Sequence, residues 1–153
     1  MNHRHLMFGT LLAAFVFMVC ANGQVPSSYN CPVDRAALVN VVLPMADGRV
    51  IIGGSFDLVN GVPRNNIARL NADGSLDMNW DPDISSEVRA LTGAGTNIYV
   101  GGIFQYVGGL SRPRLAKLDP NTGAPVGGIW ANGADGAVNA LDIDPFVGLL
   151  VGE

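Results

Sequence analysis

The stretch Val50-Ile51-Ile52-Gly53-Gly54-Ser55-Phe56 returns as Tyr99-Val100-Gly101-Gly102-Ile103-Phe104, so the chain is built from a repeated unit. Gly53, Gly54, Phe56, Val59, Gly61, Ile67, Ala68, Arg69 and Leu70 answer to Gly101, Gly102, Phe104, Val107, Gly109, Leu115, Ala116, Lys117 and Leu118 at an offset of 48. The offset grows to 49 at Gly74/Gly123 and to 50 at Trp80/Trp130, Val88/Val138, Ala90/Ala140 and Leu91/Leu141. A third copy opens at Leu149-Leu150-Val151-Gly152. Periods of roughly 20–50 residues belong to solenoids, propellers or arrays, whose units cover their apolar faces only by stacking on neighbours. Two complete copies are few for that, so the chain reads as the opening of a longer protein.

Within each period, short apolar runs alternate with Gly, Asn, Asp and Pro clusters, and no stretch keeps helical spacing for three turns. The expected strands of the first copy are Leu38–Leu43, Arg49–Gly53, Asn66–Asn71 and Ser75–Trp80. Those of the second are Val88–Leu91, Asn97–Gly101, Arg114–Leu118 and Pro125–Trp130, with Val138–Ile143 and Leu149–Gly152 beginning the third. Asp47-Gly48 and Asp73-Gly74 supply hairpin turns, because these residues tolerate positive φ. Four strands per period of about 50 residues make an all-β fold, a partial β-propeller of four-stranded antiparallel blades. Glycine inside a strand costs about 0.5–1 kcal/mol, so each Gly-Gly doublet requires a bulge or a close neighbour to offset it. Trp80 and Trp130, like Phe56 and Phe104, read as packing between adjacent units; an exposed sugar-stacking platform is the alternative.

Ahead of the repeats, residues 1–23 read as a secretory signal peptide: a basic start through His5, an apolar run from Leu6 to Ala21, and small residues at the cleavage point. The run is short for a membrane span. Cys20 would suit acylation, but Phe17, Met18 and Val19 are too bulky before it. Residues 24–36 form a polar, proline-containing leader, and residues 37–153 hold the repeats. The expected location is therefore secreted, extracellular or at the cell surface, with no membrane span after cleavage. Removing residues 1–23 takes away Arg4, His3 and His5, leaving a net charge of about −5 with Lys117 the sole lysine. That balance argues against nucleic acid as a partner, which needs dense cationic contacts to phosphate. Cys31 remains alone, so no internal disulfide is available.

Without histidine, the mature chain cannot assemble a Ser-His-Asp or Cys-His unit or a histidine-ligated metal site. Asp81 with Asp83, and Asp142 with Asp144, are spaced to share a strand face, but nothing in the sequence gives one partner the raised pKa that acid–base work needs. A calcium site is the other candidate: Asn71, Asp73 and Asp77 place hard oxygen ligands around a tight turn, although the pattern departs from an EF-hand loop. No organic cofactor is expected, and a phosphate loop at the glycines is excluded by the absence of a following helix and of Gly-Lys-Ser/Thr.

The ordered set Gly53-Gly54-x-Phe56, Val59-Asn60-Gly61 and Asn66-Ile67-Ala68-Arg69-Leu70-Asn71-Ala72-Asp73-Gly74-Ser75-Leu76-Asp77 resembles the delta-60 repeat, which occurs in tandem in exported bacterial proteins and is assigned to β-propeller modules. The second copy keeps the frame more loosely, with Asn121-Thr122-Gly123 in place of Asp73-Gly74. Kelch repeats, also with a Gly-Gly doublet and a later tryptophan, are the nearest competitor; their tyrosine is missing after the first doublet. The resemblance implies the fold and export and carries no catalytic residue. The expected function is that of a secreted, non-catalytic scaffold that binds or displays protein or glycan and stacks on further repeats. The alternatives are a structural spacer of a larger surface protein and an exported carboxylate-dependent hydrolase.

Overall fold

A computed structural model describes residues 37–94 and 97–153; the predicted signal peptide, the leader and Cys31 lie outside the described residues. In chain order, β1 (Leu38–Pro44) and β2 (Val50–Ser55) are followed by a small hairpin of β3 (Leu58–Val59) and β4 (Val62–Pro63), and then by β5 (Ile67–Leu70). The second unit repeats this with β6 (Val88–Ala94), β7 (Asn97–Gly102), a hairpin of β8 (Tyr106–Val107) and β9 (Leu110–Ser111), and β10 (Leu115–Leu118). A 3-10 turn η1 (Gly128–Ala131) leads to β11 (Ala140–Asp144) and β12 (Gly148–Gly152). All strand pairing is antiparallel, in sheets ordered β1-β2-β5, β10-β7-β6 and β11-β12. Among the described residues no helix is long and apolar enough to cross a membrane.

The fold is all-β and antiparallel, as the repeat pattern predicts, with one correction. Ser75–Trp80 and Pro125–Trp130 do not form fourth strands; each contributes a single bridge, Leu70↔Leu76 and Leu118↔Pro125. In the first copy the Asp77 carboxylate accepts the Asn79 amide at 3.0 Å, a local bond that competes with the ladder and turns the chain away. In the second, Gly128 at φ 74° opens the 3-10 turn. The short hairpins have an equally local cause. Asn60-Gly61 (φ 53° and 76°) and Gly108-Gly109 (φ 55° and 75°) hold the paired positive φ values of a type I′ turn.

The two faces of the sheets have different tasks. Ile51 and Ile67 of the first unit, with Trp80, face the second unit and bury against its Ile98, Val100, Phe104, Ala116 and Leu118. This core thus lies between sequence repeats rather than within one. On the opposite face of the first sheet, Val50, Ile52, Ala68, Leu70 and Leu76 form a second cluster with Phe56 and Val59.

The Gly-Gly doublet sits at this junction, and its members answer to different neighbours. A Cβ on Gly53 would stand 2.6 Å from Val88 Cγ1 and 3.2 Å from Leu91 Cδ1, both on β6 of the next unit. One on Gly101 would collide in the same way with Val138 and Leu141. The second glycine is restricted from within its own sheet: a Cβ on Gly54 would strike the Leu38 carbonyl, and one on Gly102 that of Glu87. The preceding strands are bulged here, at Val39/Val41 and Val88/Ala90, which brings that backbone inward.

Candidate functional site

The three oxygen-bearing side chains proposed for calcium are each held by the fold. Asp73 Oδ1 accepts the Ser75 amide at 2.9 Å and the Ser75 hydroxyl at 2.6 Å, closing the β5–Leu76 turn as an Asx turn and drawing its pKa down. Asn71 Nδ2 donates to the same hydroxyl at 3.0 Å. Asp77 points elsewhere, its Oδ2 accepting Arg69 Nε at 2.9 Å and lying 2.8 Å from Arg69 Nη2, with Arg49 Nη1 at 3.8 Å. Burial raises the Asp77 carboxyl, but the Asn79 amide and the Arg69 guanidinium outweigh it and leave the group below the usual carboxylate range. Asp77 is thus engaged by guanidinium groups while Asn71 and Asp73 meet at the Ser75 hydroxyl, and among the described residues no group of three or more His, Cys, Asp or Glu side chains stands close enough to hold a metal ion.

The paired aspartates are likewise engaged one by one. Asp81 lies 3.2 Å from Arg64 Nη1, and Asp83 accepts from Asn65 Nδ2 at 2.7 Å. Asp142 accepts the Ile143 amide at 2.8 Å, and Asp144 accepts the amides of Phe146 and Val147 at 2.8 Å, capping the β11–β12 turn. Trp80 is fully buried, so it offers no exposed platform; its ring lies 5.1 Å from the Arg69 guanidinium. Trp130 is half-buried against Tyr99, ring centroids 5.1 Å apart, with Lys117 Nζ 5.9 Å from its centroid.

What the sequence reading did not identify is a set of buried arginines. Arg69 (3 % exposed) bonds Asp77, stacks on Trp80 and donates through Nη1 to the carbonyl of Pro120, so one side chain ties the first unit to the second. Arg64 is also buried: Nη1 reaches the Pro63 carbonyl at 2.8 Å and Asp81, while Nη2 reaches the Asp77 and Met78 carbonyls at 3.4 Å. The available signal was the recurrence of arginine 48 residues later, as Arg112, at a position with no reason to be basic on a solvated turn.

The segments joining the units dock by the same bonds in both copies. Ile84 N donates to the Asn65 carbonyl and Ala134 N to the Pro113 carbonyl; Asn66 Nδ2 donates to the Ile84 carbonyl, and Arg114 Nη1 to those of Ala134 and Asp135. Backbone conformation repeats as well, with Asn66 at φ 63° and Arg114 at 62°, and Asp83 at 52° and Gly133 at 67°. Neither a curated protein nor a solved structure matches the chain. Residues 46–79 and 97–122 do match a family model, that of the domain of unknown function (DUF5122) beta-propeller, and with the stacked antiparallel units described above this makes the segment a β-propeller repeat domain of unknown function.

Proposed function

We propose that this is an exported repeat scaffold of the delta-60 kind, which binds or displays protein or glycan at the outside of a bacterial cell and performs no catalysis of its own. The observation that carries the reading is the engagement of Asp81, Asp83, Asp142 and Asp144, one by one, in turns and polar contacts of the fold. A hydrolase needs two carboxyls of opposed protonation at a fixed separation. A scaffold needs only a stacked frame with exposed side chains for a partner to meet, and Tyr106, Leu110, Ile129 and Phe146 are exposed. The signal-like residues 1–23 support export.

Protease treatment of intact cells producing the full protein, followed by a glycan and protein array with the purified material, tests the reading. Surface cleavage with selective binding is expected. Cleavage without any binding favours a structural spacer, and glycoside hydrolysis that disappears in Asp142→Asn or Asp144→Asn favours the hydrolase.

A further inference from the structure

Arg64 and Arg112 hold the same place in successive units, yet only one has a counter-charge. Their amides make equivalent bonds, Arg64 N to the Asp57 carbonyl and Arg112 N to that of Gln105, both at 2.9 Å. The following segments dock alike, through Ile84 N on Asn65 and Ala134 N on Pro113. Arg64 meets Asp81 and two further carbonyls. At the matching position, 50 residues on, stands Ala131. Asp77 is likewise lost: its amide bonds Arg69 as that of Val126 bonds Lys117, so valine replaces that carboxylate. Among the described residues Arg112 is left with one bond, Nη1 to its neighbour Ser111 at 2.7 Å; its Nε is buried without an acceptor, as that of Arg64 is, so the two arginines differ by the carboxylate and the two carbonyls and not at Nε. The residue is 9 % exposed, and no carboxylate lies within ion-pair distance among the described residues.

We propose that Arg112 is a recognition site for an aspartate or glutamate side chain of a partner protein, which enters where Ala131 omits the carboxylate that Asp81 provides in the first unit. A buried guanidinium without a counter-charge is costly, and its planar fork matches a carboxylate through two parallel bonds. The surroundings select a protein. Leu110, two residues ahead of Arg112 on the β8–β9 hairpin, is exposed, an apolar neighbour of the kind found beside a charged anchor in protein interfaces. This rests on the binding-scaffold reading and names the chemistry that the scaffold would take.

The test uses the full chain and two blocked tripeptides, acetyl-Gly-Asp-Gly-amide and its Asn counterpart, with the Arg112 Nε–Hε resonance as readout. A saturable shift with the Asp peptide is expected, at least tenfold weaker with the Asn peptide and with chloride. Ala131→Asp should abolish the shift while raising thermal stability, because it restores the internal pair; Arg112→Gln should abolish binding as well. Equal responses to both peptides, equal response to chloride, or undiminished binding by Ala131→Asp would overturn the proposal. These outcomes do not depend on export, so failure of the carboxylate site and failure of the scaffold reading are distinguishable.

Discussion

A methyl group added at Gly53 would stand 2.6 Å from Val88 Cγ1, well inside van der Waals contact, and a side chain fixed in a buried strand has little room to yield. Gly53→Ala is expected to cost about 1–3 kcal/mol, as overpacked cores do. Combined with Val88→Ala, which vacates that space, it should cost less than the sum of the two single changes by about 0.5–3 kcal/mol, measured by denaturant unfolding of all four proteins. Simple additivity would mean that the two residues do not meet. Asp77 makes a different prediction. Its folded pKa lies below the ordinary value, so its ion pair contributes fully above about pH 4 and is lost as pH falls through the lowered value. Asp77→Asn leaves Arg69 buried without its counter-charge, which should cost about 3–5 kcal/mol at neutral pH and remove that part of the acid sensitivity, as read by unfolding at pH 7 and pH 3.

At the level of elements, Arg114 carries a backbone conformation that asparagine carries in the first unit. A left-handed residue with a Cβ costs about 1–2 kcal/mol, less for Asn, and Asn66 at the same place still donates to the linker carbonyl. Arg114→Asn should therefore raise the thermal midpoint while keeping a bond to Ala134; a fall would show that the two bonds made by Arg114 outweigh its strain. Three of four expected strands per unit were legible because alternation and Asp-Gly turns are local signals. The fourth was not, since Leu76 reads as strand whereas the Asn79 amide captured by Asp77 turns the chain. The Asn60-Gly61 hairpin was legible and went unread, its flanking strands being only two residues long. Spacing of Asn71, Asp73 and Asp77 likewise cannot separate cation ligation from an Asx turn plus an ion pair, because both ask for oxygens at short intervals.

For the molecule as a whole, β12 pairs only with β11 among the described residues, and Leu150 and Val151 on it are exposed, as are Phe146 and Val147 in the turn. An apolar strand with an open edge invites pairing with another copy. Residues 24–153 alone should therefore self-associate in sedimentation velocity, and Val151→Lys should shift them toward monomer; a monodisperse parent protein would refute this. The glycine–valine junction has a further implication. Each of the first two units carries a socket at its first glycine, and the peg that fills it, Val88 or Val138, comes from the unit that follows, so their stacking has a direction like a polar filament. Genetic duplication or deletion of one whole period would keep a socket facing a peg, whereas polar contacts particular to one copy, such as that of Arg69 with Pro120, would have to be remade.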